Sequence, residues 1–236
     1  MTRGAARFFD AIAGRYERAY ALPPEPSRAR MKRLLRELPP AARVLDLGVG
    51  TGRELSALLD AGHRPVGVDV SAPMLERCAR RARPIPLVQA DFWHPLPFED
   101  ASFDAVIALH GTLAHPPDDP AVSELARELG RVVRPRGVWV LEVPSPTWLD
   151  AEPRDDRRLT RTGPATGLYE DLPTGATIEV RLRSDTEWVA ALSPAWSTVV
   201  EAMTSSEWLV VARRTEDWRI SADPIAIASS GSLKLR

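Results

Sequence analysis

The feature that most constrains this chain is the run Val44-Leu45-Asp46-Leu47-Gly48-Val49-Gly50-Thr51-Gly52. The residues up to Leu47 read as a short buried strand. The three glycines that follow at alternate positions permit a turn closed to other residues and let backbone approach a ligand closely. In an open α/β sheet such a turn sits at the carboxyl end of a central strand, where ligands bind. Taken alone it also fits a tight strand-to-helix connection. A dinucleotide fingerprint would need a further glycine at position 53, where this chain has Arg53.

The surrounding sequence alternates strand and helix signals. Strands are expected at 43–47, 65–70, 85–90, 103–109 and 137–143, with helices between them, one of them capped by Ser71. Strands without strict polar alternation, interleaved with helices, indicate a parallel sheet covered on both faces. Ahead of them, 7–20 reads as an amphipathic helix and 27–38 as a second helix capped by Ser27. Residues 1–38 are therefore expected to be N-terminal lid helices on a ligand-binding α/β domain at 39–218. Residues 144–175 are polar, rich in Pro, Gly, Arg and Asp, and without a clear period. Together with 176–183, a strand by its alternation, they form an insertion or lid at 144–183. A helix at 185–192 and a hairpin at 197–202 and 208–213 would close the sheet, and 219–236 reads as a loosely held tail.

Carboxylates recur where the parallel strands end. Asp69 closes the second strand, where a carboxylate can accept hydrogen bonds from both hydroxyls of a ribose, and Val70 follows it. Asp91 and Phe92 follow the third strand and place an acceptor for an exocyclic amine beside an aromatic face. Each acid alone could be a helix cap or a solvated turn. With Asp46 they outline a nucleoside-shaped site at one sheet edge.

These segments resemble the class I S-adenosylmethionine-dependent methyltransferases over roughly residues 8–143: VLDLGVGTG, GVDVSAPML, LVQADF, FEDASFDAVIAL and the Arg-Pro-Arg-Gly turn before the fifth strand correspond in order. The resemblance implies a doubly wound, mostly parallel seven-stranded sheet with helices on both faces and an antiparallel C-terminal strand. It implies S-adenosyl-L-methionine as cofactor, with Gly48, Gly50 and Gly52 near its methionine and ribose, Asp69 on the ribose hydroxyls and Asp91 on adenine. Asp46, Val70, Phe92 and Leu109 complete the cofactor set. Tyr16, within RYERAY, either covers the cofactor or is a core aromatic. Val49 stands where many members carry Cys or Ser, a change the glycines should tolerate. After the fourth strand, LHGTLAHPPDD offers His110 and His115, which act as a base toward an acceptor or serve as polar loop residues under the lid.

The function expected is methyl transfer to an N or O atom of a small-molecule acceptor. The alternatives are a non-catalytic S-adenosylmethionine-binding protein or an NAD-dependent oxidoreductase. A net charge of -1 gives no global pull toward nucleic acid or anionic membrane. The single cysteine, Cys78, excludes an internal disulfide and a cysteine-cluster metal site, and the first twenty residues lack the apolar core of a signal peptide. A cytoplasmic monomer or homodimer without metal, nucleic acid or membrane partners is therefore expected. His63 and His94 read as surface residues, and adjacent Asp118 and Asp119 lack the partner a metal site would need. Trp148, Trp188 and Trp196 either line an apolar acceptor pocket or belong to the core.

Overall fold

In a computed structural model, which describes residues 3–21, 24–81, 83–116, 120–152 and 154–216, alternate residues of each central strand are buried on opposite faces of one sheet. In β1 (Arg43–Leu47), Val44 packs on one side and Leu45 and Leu47 on the other. In β4 (Phe103–Ala108), Ala105 and Ile107 share the face of Val44, whereas Val106 and Ala108 share that of Leu45. Two buried faces explain why these strands lack polar alternation.

The elements occur in the order α1 (Arg3–Ile12), α2 (Tyr16–Ala19), α3 (Pro24–Glu37), β1, α4 (Leu55–Asp60), β2 (Arg64–Asp69), α5 (Ala72–Arg81), β3 (Leu87–Gln89), β4, α6 (Ala121–Val132), β5 (Val133–Pro144), β6 (Arg157–Arg161), β7 (Thr166–Asp171), β8 (Ala176–Arg181), α7 (Asp185–Leu192), β9 (Trp196–Ala202) and β10 (Glu207–Arg214). The main sheet has seven strands ordered β3-β2-β1-β4-β5-β10-β9. Only β10 runs against the others, being antiparallel to both β5 and β9. The doubly wound sheet with an antiparallel C-terminal strand is the expected fold.

Leu45, Val68, Val106, Trp139 and Leu141 meet α6 and α7 through Val122, Leu125, Leu129, Trp188 and Leu192. The opposite face meets Leu34 and Leu38 of α3, Leu55 and Leu58 of α4 and Cys78 of α5. Trp188 and Trp196 are core residues, and the indole N–H of Trp196 donates to the Ala126 carbonyl at 2.9 Å. Among the described residues no helix is long and apolar enough to cross a membrane.

Four local expectations need correction. The N-terminal helix is interrupted at Ala13-Gly14-Arg15, where Gly14 weakens helical preference and the Arg15 guanidinium bonds the buried Asp171 carboxylate instead. Helix α3 begins at Pro24 rather than after Ser27, in line with the tolerance of a first helical turn for proline. The stretch expected to be an aperiodic insertion contains β6 and β7, which join β8 in a second, antiparallel sheet. Leu159, Tyr169, Ile178 and Val180 from that sheet pack on Phe8 and Ile12 of α1. Finally, His63 is buried, with Nδ1 accepting from the Ala42 amide at 3.1 Å; His94 is exposed as expected. The expected tail at 219–236 and the Asp118-Asp119 pair lie outside the described residues.

Gly52 shows how tightly the first turn packs against α4 and α5. Its φ is 75°, and a Cβ there would lie 2.7 Å from Cys78 Sγ and 2.8 Å from Leu55 Cδ1. Gly62 has a φ of 83° but open space around it, so it isolates the backbone cost. Gly52→Ala should lower unfolding free energy by about 1–3 kcal/mol more than Gly62→Ala, read from urea midpoints. Equal losses would mean that contact with Cys78 and Leu55 does not matter.

Candidate functional site

The glycine turn is held open by a carboxylate from the next strand. Asp69, at the end of β2, accepts from the Gly50 amide at 2.8 Å through Oδ2 and from the Ser71 amide at 2.9 Å through Oδ1. Burial raises the Asp69 carboxyl above its ordinary range, and these amide bonds oppose the shift. A carboxylate has about four acceptor directions, so two remain for hydroxyl donors of a ligand. Ser71 in turn caps α5 through the Met74 amide at 3.3 Å and donates to Asp10 of α1 at 2.6 Å.

Gly48, Gly50, Asp69, Val70, Asp91 and Phe92 line one narrow cavity of 80 Å³, roofed by Ala5, Phe9 and Tyr16 of the N-terminal helices and closed on a third side by His110, Gly111, Thr112 and His115. These predicted residues therefore converge. Asp46, Gly52 and Leu109 do not form its wall: Asp46 and Leu109 are buried in the sheet, and Gly52 faces Cys78. Asp91 uses Oδ1 to accept from the Trp93 amide at 3.1 Å, while His94 Nδ1 lies 3.0 Å from Oδ2.

Tyr16 is clamped from below by the residue that breaks the dinucleotide pattern. The Arg53 guanidinium lies 4.8 Å from the Tyr16 ring centre, donates to the Tyr20 carbonyl at 2.7 Å and pairs with Glu17 at 3.1 Å. Glu17 also accepts from the Thr51 hydroxyl. Burial pushes the Tyr16 hydroxyl up to about 12, so it stays protonated at neutral pH.

A polar network unseen in the sequence stands behind His110. Arg30 of α3 binds Glu54 at 3.0 Å and Glu142 at 2.5 Å, while His110 Nε2 lies 2.7 Å from Glu54 and Nδ1 lies 3.0 Å from Arg30. Arginine only donates and an ionised carboxylate only accepts. The consistent tautomer therefore has Nε2–H donating to Glu54 and Nδ1 accepting from Arg30, which occupies both ring nitrogens. Burial pushes Glu54 upward, but the His110 hydrogen bond and the charge and hydrogen bond of Arg30 hold it below its ordinary range. Asp46 lacks such help; burial, then the Glu54 and Asp69 charges, raise it well above the usual carboxylate range. One signal was legible: Glu142 is a charge inside the apolar run Val138–Val143, which calls for a buried partner.

His115 is oriented differently. Its Nδ1 lies 3.0 Å from the Glu179 carbonyl and must donate to it, which leaves the Nε2 lone pair available. Burial lowers its pKa, partly countered by that hydrogen bond, so the ring is neutral at pH 7. It also borders a larger cavity of 610 Å³, which shares Phe9, Tyr16, His110 and Gly111 with the narrow one and extends to Tyr20, Trp148, Tyr169 and Glu207. Of the three tryptophans with two readings, Trp148 alone lines this space.

Residues 44–137, from the glycine turn to the start of the buried part of β5, match the family model of a methyltransferase domain. Over this segment the chain is similar to methyltransferase domains, the family that the glycine turn and strand-end acids resemble. It is 40% identical over 114 residues to a demethylmenaquinone methyltransferase of Beutenbergia cavernae, an alignment covering 48% of this chain and 45% of that protein. It is 34% identical over 119 residues to a cypemycin N-terminal methyltransferase of a Streptomyces species, covering 50% and 48%. Thus the chain spans about half the length of these relatives. A sugar N-methyltransferase from a Streptoalloteichus species has the same fold, with a TM-score of 0.70 at 23% identity over 85% of this chain and 92% of that one.

Because Asp69 joins the turn, the cavity wall and α5, Asp69→Ala should weaken S-adenosylhomocysteine binding by about 10–100-fold, the range for hydrogen bonds to a charged group. Isothermal titration measures this, with circular dichroism confirming the fold. Unchanged affinity would remove Asp69 from the cofactor site.

Proposed function

We propose that the protein transfers a methyl group from S-adenosyl-L-methionine to a nitrogen or oxygen atom of a small-molecule acceptor by in-line displacement. The observation that carries this reading is the meeting of two cavities at His110, Gly111 and His115: a narrow one over the strand-end acids and a 610 Å³ one beyond it. The larger volume lies within the range of small-molecule sites. Near-neutral charge favours a small acceptor over nucleic acid or an anionic membrane, and the likeness to a sugar N-methyltransferase supports the same acceptor class; we place the protein in the cytoplasm as a monomer or homodimer.

The residues present suit this cofactor. Asp46, Glu54 and Asp69 surround the glycine turn, and the raised Asp46 marks a place where positive charge is missing. In this reading Gly48 and Gly50 take the methionine portion, Asp69 the ribose, and Asp91 with Phe92 and Val70 the adenine. Asp46, Gly52 and Leu109 support them from beneath, and Tyr16 covers them. When bound, S-adenosylmethionine supplies a methyl group activated by a positive sulfur. The chain's task is then to hold the acceptor in line and exclude water, which can contribute about 7–11 kcal/mol of the barrier. For a hydroxyl acceptor, His115 Nε2 is the better placed base, while His110 braces the wall through Glu54 and Arg30.

Purified protein titrated with S-adenosylmethionine, S-adenosylhomocysteine and NAD tests the reading. Either adenosyl ligand at a hundredfold excess over Kd should add about 2.7 kcal/mol of stability in a thermal-shift series, and NAD should add none. Stabilisation by NAD alone would overturn it. Turnover of labelled methyl donor separates an enzyme from a binding protein.

The two adenosyl ligands differ by the methyl group and its positive charge. Burial raises the carboxyls of Asp46 and Asp69, so both ionise above the ordinary carboxylate range and build up negative charge near the turn as pH climbs. The affinity of S-adenosylmethionine relative to S-adenosylhomocysteine should therefore rise between about pH 5 and pH 8. A flat or falling ratio in paired titrations would place the sulfonium away from these acids.

A further inference from the structure

Resting on the methyltransferase reading, we propose that the acceptor is a small ring-bearing amine, its nitrogen held at Glu207 beside Glu142 and its body lying against Phe9, Trp148 and Tyr169. Three independent features of the 610 Å³ cavity point to this chemistry.

The first is unbalanced negative charge. Among the described residues, the Glu207 carboxylate makes no ion pair or hydrogen bond, although it stands at the cavity wall close enough to feel Glu142. Three of the cations nearby are committed elsewhere, and a fourth, Arg154, is exposed. Arg30 binds Glu54 and Glu142, Arg53 binds Glu17 and the Tyr20 carbonyl, and Arg157 pairs with Asp156 while lying 4.7 Å from the Tyr20 ring centre. Partial burial and then the Glu142 charge raise the carboxyl of Glu207 above its ordinary range, opposed by the charges of Arg30 and His110, while the residue keeps an exposed side through which a ligand can reach it.

The second feature is the wall. Trp148 stacks on Tyr169 with ring centres 5.9 Å apart and planes 13° apart, Phe8 meets the same tyrosine edge-on, and Tyr20 and Tyr169 share a 2.8 Å hydroxyl contact. Aromatic faces next to carboxylates attract alkylammonium groups and accommodate a ring. The third is the register of β10 on β5, which pairs Glu207 with Pro144 and so sets its side chain two residues along the sheet from Glu142. That edge also carries His110, whose backbone amide donates to Glu142 at 3.0 Å.

The amine binds as its cation and gives one proton to water at the cavity mouth. The freed nitrogen lone pair then forms a bond to the methyl carbon as the carbon–sulfur bond breaks, its electron pair leaving on sulfur. The nitrogen becomes positive again and is held by Glu207 until release.

The test uses the intact protein saturated with S-adenosylhomocysteine and a panel of probes: 2-phenylethylamine, cyclohexylamine and glucosamine, with the hydroxyl or carboxylate counterpart of each. Tryptophan fluorescence reports binding, Trp148→Phe locates the signal, and mass spectrometry with S-adenosylmethionine reports methylation. At least one amine should bind about tenfold tighter than its counterparts, and Glu207→Gln should erase that preference while leaving S-adenosylhomocysteine affinity unchanged. Equal or tighter binding of the alcohol or carboxylate, no binding of any amine, or a preference that survives Glu207→Gln overturns the proposal. Arg154, exposed at the same cavity, makes the carboxylate arm a fair competitor. Failure of S-adenosylhomocysteine itself to bind would instead overturn the methyltransferase reading.

Discussion

The ligand edge depends on one carboxylate. Asp69 ties the glycine turn after β1 to the start of α5 by taking one amide from each, and through Ser71 it reaches α1. Without it, three left-handed glycines would have no fixed path, since glycine loses more freedom on ordering than any other residue. A buried acid carries a desolvation cost, met here by two backbone donors. The same atoms that stabilise the turn thus also leave acceptor directions at the wall of the narrow cavity.

The acids around this point divide by how they are compensated. Glu54 and Glu142 share Arg30 and His110, whereas Asp46 has only like charges as close electrostatic neighbours. Compensated acids build rigid wall; uncompensated ones mark where an incoming cation gains most. This division separates residues that shape the site from those that would recognise its contents, although all are carboxylates at or near strand ends.

Most of the main sheet, and the meeting of its strand-end residues at one cavity, was legible because each element carries its own local signal. Buried parallel strands are apolar on both faces, and glycines and strand-end aspartates occupy positions set by the strands themselves. The second sheet was not legible. Its inward residues, Leu159, Tyr169, Ile178 and Val180, find their partner surface on α1, more than a hundred residues earlier, so polar intervening residues dominate the local pattern. Arg30 and His63 were missed for the same reason. Their partners, Glu142 and the Ala42 amide, come from other elements. The break in the first helix belongs here too, since Arg15 turns toward Asp171 rather than continuing the helix.

The pairing of α1 and α2 with the second sheet means that the roof over the 610 Å³ cavity is one piece assembled from two distant stretches of chain. Arg15 meets Asp156 and Asp171, Tyr20 meets Tyr169, and the Arg157 guanidinium donates to the Ala19 carbonyl. Transplanting residues 144–183 into a related scaffold would therefore carry over half a surface. A change in what this cavity admits requires the N-terminal helices and the second sheet to change together, which makes the roof a single heritable module despite its discontinuity.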